Sequence, residues 1–229
     1  PCARASAFFL RLPRPPSPPV WPDSAARRCW VGGGRARLRL CRGRERGLCL
    51  DAKSVAELWT HASHCPYTIS YPAGPRCTPT VVDGKVYSLG AMGDLVCLDA
   101  ADGSVVWSKN LPRTYNAPVP LWGYAGHPLV YGDIVICMAG GKNTAVVALQ
   151  RQTGEEVWTS LSTPEIGYSP PTLIESGGVT QLLIFHGQGL SSLNPESGDL
   201  YWSEPLATNF AMSIMAPRRD GEFLLAGGH

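Results

Sequence analysis

Four tryptophans constrain this chain more than any other feature. Trp59, Trp107, Trp158 and Trp202 close four versions of one phrase: CLDAKSVAELW, CLDAADGSVVW, VALQRQTGEEVW and SLNPESGDLYW. They are spaced 48, 51 and 44 residues apart. Gly103, Gly154 and Gly198 each precede a tryptophan by four residues, whereas Val55 takes that place in the first copy. A second marker keeps the same rhythm: Pro79, Pro128, Pro171 and Pro217, at intervals of 49, 43 and 46, each open a short run ahead of a turn. Two independent markers drifting together identify a tandem repeat. A unit of this size cannot bury an apolar face alone, so the fold has to stack successive copies.

The repeat reads as strands. TVV and KVYSL flank Asp83-Gly84, a pair that supplies the positive φ of a tight hairpin. DLVCLD follows Gly93, AADG turns the chain with Gly103 available for a left-handed position, and SVVWSK makes a fourth run. Four short strands per repeat predict an all-β fold, a β-propeller of four-stranded antiparallel blades stacked face to face around an axis. The recurrent tryptophan is expected to cover one blade and fill the space toward the next. Residues 47–61 supply the last two strands of a blade. Residues 77–109, 127–160 and 169–204 supply three whole blades, and 215–227 the first two strands of another. The two half blades could pair to close a four-bladed ring. A partial propeller with further blades elsewhere, to a total of seven or eight, is the expectation favoured here.

Charge divides the chain. Residues 1–46 hold eleven Arg, no Lys and two acids, with seven prolines and the run Gly32–Gly34, whereas the remainder has nine cationic against sixteen anionic side chains. RLPRPPSPPVWP cannot continue a helix or donate a regular ladder. We read 1–46 as a disordered basic segment and 47–229 as the propeller. The basic segment implies no specific nucleic-acid partner. AFFL is too short for the apolar core of a signal peptide, and no run approaches a membrane span. The eight cysteines include no C-x-x-C and therefore no zinc spacing. Cys49 and Cys97 read as small buried apolar residues. Cys65 and Cys77 flank one loop and could pair in an oxidising compartment.

With Ala148, Gln150, Thr153, Gly154 and Trp158, the third phrase resembles the A-x-D-x-x-T-G-x-x-x-W tryptophan-docking motif of pyrroloquinoline-quinone-type β-propeller repeats. LDAADGSVVW and LNPESGDLYW are similar variants, and the resemblance covers about residues 47–229. It implies a periplasmic or cell-envelope location, and partners that include proteins of a membrane-associated complex. That fold hosts quinone-dependent alcohol dehydrogenases as well as a scaffold lipoprotein of outer-membrane assembly, so it does not assign an activity. The dehydrogenases hold calcium and quinone on the axis and often use an adjacent Cys-Cys pair. This chain has no such pair, and its acids fall in the turns of the repeat, where capping accounts for them. No catalytic residue, metal ligand or cofactor is assigned. Pyrroloquinoline quinone and calcium belong only to the alternative reading.

Loops joining one blade's outer strand to the next inner strand crowd one face of a propeller. Two are long here, 60–78 and 109–127, and they carry Tyr67, Tyr71, Arg76, Arg113, Tyr115, Asn116, Trp122 and Tyr124. Aromatic rings beside a few polar groups suit a small-molecule or peptide site. Arg76, His127 and Tyr168 all stand just before inner strands and are expected to converge near the axis, with Tyr71 in the preceding loop. Arg76 would offer a fixed cation and His127 a donor or base. The expected function is non-catalytic: a binding or scaffold propeller recognising a protein partner or small ligand through these loops. A quinone-dependent alcohol or sugar dehydrogenase is the alternative.

Overall fold

The computed structural model describes residues 6–11, 35–41, 43–66 and 76–228. Strand β1 (Ser6–Arg11) comes first, then β2 (Arg35–Cys41), β3 (Arg44–Leu50) and β4 (Glu57–His64), which form one antiparallel sheet in that order. Three four-stranded sheets follow. β5 (Thr80–Val82), β6 (Lys85–Leu89), β7 (Asp94–Asp99) and β8 (Val105–Asn110) make the second blade. A one-turn helix α1 (Leu111–Tyr115) leads to the third blade, β9 (Leu129–Tyr131), β10 (Ile134–Met138), β11 (Val146–Gln150) and β12 (Glu156–Ser160). The fourth holds β13 (Thr172–Ser176), β14 (Val179–His186), β15 (Gly189–Leu193) and β16 (Leu200–Pro205). β17 (Arg218–Asp220) and β18 (Phe223–Gly228) begin a fifth sheet.

The three whole blades are where the repeat places them, and the two partial ones hold three strands each. They do not combine into one sheet. β2 extends the first blade by pairing Arg35 with Leu50 through to Cys41 with Arg44, and β1 lies on the far side of β18, Ser6 opposite Gly228. In the segment 1–46 assigned to disorder, β1, β2 and the start of β3 are therefore strands, and the rest of residues 1–42 lies outside the described residues. Net charge hid a period-two pattern: RARLRLC alternates arginine with apolar residues, as a strand does.

Neighbouring blades bury both faces of the sheet between them. On β6, Tyr87 and Leu89 join Leu95 and Cys97 of β7 in the core shared with the third blade, while Val86 and Leu98 pack against Trp59 of the first. Val146–Leu149 on β11 are fully buried, which is why that strand is an unbroken apolar run and not an alternating one. Ile174, Leu183, Phe185 and Leu190 of the fourth blade meet Leu224 and Ala226 of the fifth.

The docking motif works across copies. Gly103, Gly154 and Gly198 each have φ near +75°, and a β-carbon on them would lie 2.5, 2.8 and 2.5 Å from Trp59, Trp107 and Trp158 respectively. Each indole thus stacks on the turn glycine of the next blade, not on the glycine four residues before it. Trp59 Nε1 donates to the Ala100 carbonyl at 3.0 Å, and Trp107 Nε1 to that of Arg151 at 2.9 Å. Trp202 donates instead to Gln181 Oε1 within its own blade, at 3.0 Å. A bulge recurs opposite every outer strand, at Cys49/Leu50, Cys97/Leu98, Ala148/Leu149 and Ser192/Leu193. It leaves Leu58, Val106, Val157 and Tyr201 exposed and twists an edge that would otherwise invite strand addition.

One carboxylate lies between the first two blades. Glu45 is 6% exposed and accepts the Ala91 amide at 3.0 Å, beside His61, Ser63, Ser88 and Asp94. Desolvation raises its pKa above 4.5; the Ala91 amide pulls it down, Asp94 raises it and Arg76 lowers it. For an acid with a raised folded pKa, the stabilising contribution is complete below the unfolded pKa and is lost as pH rises through the folded one. Glu45→Gln should therefore gain thermal stability over the parent as pH goes from 4 to 7. Melting curves at both values check this, and a difference that stays flat contradicts it.

Candidate functional site

The connection from β8 to β9 is built from its ends inward. Asn110 caps α1 by accepting the Arg113 amide at 3.0 Å, and its side-chain amide donates to Asp94 at 2.7 Å. Asn116, in the left-handed region with φ 49°, turns the chain out of the helix. Tyr124 then plugs the loop into the core. It is buried, its hydroxyl donates to the Ala139 carbonyl at 2.7 Å, and its amide donates to Ala91 at 2.9 Å. Between these anchors Pro118, Val119, Pro120 and Leu121 cross the loop face and form one wall of a cavity of about 110 Å³.

The other walls come from two further connections. Gly140 and Gly141, both with φ 91°, follow β10, and Pro164–Tyr168 leads from β12 toward β13. Ala211 closes the cavity from the connection after β16. The Glu165 carbonyl accepts the Gly187 amide at 3.2 Å and the Thr163 hydroxyl at 2.9 Å, and the Tyr168 amide donates to Ser213 at 3.0 Å. These bonds fix the cavity between the third and fourth blades.

Tyr168 is the sequence-predicted site residue that lines this cavity. Its ring lies 5.5 Å from that of Trp122, tilted by 39°, and its hydroxyl accepts the Trp122 amide at 3.4 Å. Burial raises the phenol pKa; the Trp122 amide lowers it, Glu165 raises it and Arg76 lowers it. Arg76 is thus within electrostatic reach of Tyr168, and both stand three residues before the proline of their repeat. His127 stands one residue before its proline, and among the described residues no hydrogen bond joins it to either. Burial alone acts on its imidazole, lowering the pKa. Tyr71 and Tyr67 lie outside the described residues.

Other loop residues take structural roles. Tyr124 belongs to the core, and β4 runs on to His64, shortening the first loop. Cys65 and Cys77 are separate buried thiols; burial and the nearby Glu45 carboxylate push them up to about 11 and about 12. At the start of the inner strands, Cys77 donates to the Gly126 carbonyl at 3.6 Å, and Ser169 to that of Met215 at 3.1 Å. These steps bind one blade's entry segment to the next. Sequence reasoning missed the diglycine, the Pro164–Gly167 stretch and Ala211. The one available signal was NFAMSIM (209–215), an apolar run in a connection where polar turn residues are expected.

Among the described residues no three His, Cys, Asp or Glu side chains converge to hold a metal ion. No helix among them is long and apolar enough to cross a membrane.

Comparison with known proteins agrees with this architecture. The quinoprotein ethanol dehydrogenase of Pseudomonas aeruginosa is 27% identical over 147 residues, which is 58% of this chain and 23% of that protein. The outer membrane protein assembly factor BamB of Yersinia pestis is 24% identical over 140 residues, 57% of this chain and 33% of that protein. The chain therefore spans a third or less of the length of these relatives. The crystal structure of BamB from Moraxella catarrhalis superposes with a TM-score of 0.53 at 18% identity, over 77% of this chain and 47% of that one. Quinohemoprotein alcohol dehydrogenase from Comamonas testosteroni gives 0.55 at 16% identity, over 97% and 41%. At such identities the superpositions speak for the fold alone. The family model described as outer membrane protein assembly factor BamB matches residues 44–229, and with its indoles docked blade to blade the chain belongs to that family of pyrroloquinoline-quinone-type β-propeller repeat proteins.

Proposed function

We propose that this chain is a non-catalytic binding or scaffold propeller of the cell envelope, recognising a protein partner or a small ligand through the loops on the Tyr168 face. The observation that carries this reading is the cavity between the third and fourth blades. Its walls are proline, glycine and aliphatic residues with Glu165 among them, held by backbone hydrogen bonds, with Tyr168 against Trp122 at one end. Rigid apolar walls with few polar groups suit recognition, and none of the groups lining it is placed as a nucleophile with an adjacent base. The assembly-factor relatives favour a protein partner and an envelope location.

The dehydrogenase relatives raise the alternative of quinone chemistry. Calcium needs several convergent oxygen ligands. Among the described residues no three His, Cys, Asp or Glu side chains gather, and the sequence has no adjacent cysteines. These features favour the scaffold reading over a calcium–quinone pair. Titrating the protein with pyrroloquinoline quinone and calcium, with ethanol as substrate and a redox dye as acceptor, is expected to give no saturable turnover. Saturable dye reduction would overturn the scaffold reading.

A further inference from the structure

The cavity beside Tyr168 has dimensions and surroundings that specify its occupant more closely. An engineered apolar cavity of ~150 Å³ in another protein takes up a single benzene ring. At about 110 Å³ this one has room for one side chain and not for a multi-ring cofactor. Val119, Leu121, Ile166 and Ala211 give it an apolar lining. Large apolar side chains on its connections stand in water: Leu121, which lines it, is 54% exposed, and Phe210 and Ile214, in the connection that supplies Ala211, are 69% and 58% exposed. The 213–215 strip that carries Ile214 is bonded alongside 168–169 through the Tyr168 amide and the Ser169 hydroxyl, which makes this one patch. Apolar surface gathered around a small pocket is the arrangement of an interface hot spot.

Two further observations are independent of exposure. Phe210 and Ala211 both have φ 52°, a left-handed conformation that costs non-glycine residues free energy and is enriched at functional sites. Here it holds Phe210 out in solvent, next in the chain to the lining residue Ala211. Among the described residues lining the cavity, Glu165 is the one charged side chain, and it is exposed. Its backbone is tied down at the carbonyl, so its carboxylate has a fixed origin at the rim.

We propose that this cavity seats a single aliphatic or aromatic side chain of a protein partner, with a neighbouring lysine or arginine of that partner meeting Glu165. The proposal rests on the reading of this face as a binding surface, and deepens it. The fixed walls limit the ordering cost of binding, the apolar anchor supplies affinity, and the Glu165 carboxylate sets register and selects against acidic segments.

The test uses random heptapeptides displayed on phage, selected on the purified chain, followed by synthesis of the consensus peptide and titration by calorimetry. The consensus should pair a large apolar residue with Lys or Arg. Val119→Trp, which fills the cavity, should weaken binding roughly tenfold or more, as should Leu121→Asp at an exposed position that folding does not depend on. Glu165→Lys should weaken the basic peptide and favour a version with Glu in place of its cation. Peptides that bind but ignore Val119→Trp and Leu121→Asp overturn this inference and leave the binding reading standing. Binding that ignores Glu165→Lys overturns the charged contact. Failure to select any peptide likewise overturns this inference, and leaves a small ligand as the remaining form of the binding reading.

Discussion

Trp107→Ala is expected to cost about 3–5 kcal/mol of unfolding free energy. The indole is 8% exposed, packs within the core shared by the second, third and fourth blades, and donates to the Arg151 carbonyl. Removing it leaves a void between two sheets that stacking holds together, while the Arg151 carbonyl keeps the Tyr87 hydroxyl, at 3.2 Å, as a donor. Gly154→Ala attacks the same junction from the other side. A β-carbon there meets the indole at 2.8 Å, and φ of 75° penalises any L side chain by ~1–2 kcal/mol before contact is counted. In the double variant the new methyl group enters the space the indole has left, so only the backbone penalty of Gly154→Ala remains. The pair should therefore cost less than the sum of its members by ~0.5–3 kcal/mol. Urea unfolding followed by far-ultraviolet circular dichroism measures the cycle, with an unchanged m-value as the control that the unfolded state is comparable. Strict additivity would mean that Trp107 and Gly154 do not share a junction, and the stacking of blade on blade would lose its main support.

That junction also marks where the sequence stops being readable. The Trp and Pro rhythm sets the number of blades and the order of their strands, because each marker repeats at the same place in its unit. Which glycine an indole touches depends on the rotation between units, and no spacing within one copy encodes it. Trp158 stands four residues after Gly154 in the chain but rests on Gly198. Charge concealed β2, because eleven arginines outweighed the alternation in RARLRLC. Glu45 follows the same pattern. It belongs to the basic segment by composition and to a buried layer by position.

The cavity was less legible still. Its walls come from the connections after β8, β10, β12 and β16, which meet only once the blades are stacked, and glycine and proline residues there read as ordinary turns. Tyr168 could be singled out because it stands just ahead of an inner strand of the repeat. Arg76 shares its register and lies within its electrostatic reach. His127 shares their proximity to an inner strand, but its offset from the repeat proline differs by two residues. Counting from the proline, not from the strand, separates the three from sequence alone.

Tyr124 carries the second large effect, and it joins loop order to the cavity. Its amide is bonded to Ala91, its hydroxyl to Ala139, and its carbonyl accepts the Cys77 thiol at 3.5 Å. One residue therefore ties the turn after β6, the end of β10 and the entry to β5. Its ring fills the space over Gly93, where a β-carbon would lie 2.8 Å away. Burial raises the phenol pKa, so the hydroxyl remains a donor throughout the ordinary pH range. Tyr124→Phe keeps the ring but leaves the Ala139 carbonyl without its donor, a loss of about 1–3 kcal/mol. Tyr124→Ala removes the plug as well and should cost about 3–5 kcal/mol. The two should also differ in dynamics. With the ring in place the 117–123 stretch keeps its anchor, so its amides should exchange with deuterium as in the parent in Tyr124→Phe and much faster in Tyr124→Ala. Because that stretch supplies the Pro118–Leu121 wall, faster exchange should come with loss of binding at the cavity, even at temperatures where the blades remain folded. Unchanged exchange in Tyr124→Ala would mean that the prolines hold the wall by themselves, and that the order of this face does not depend on the core beneath it.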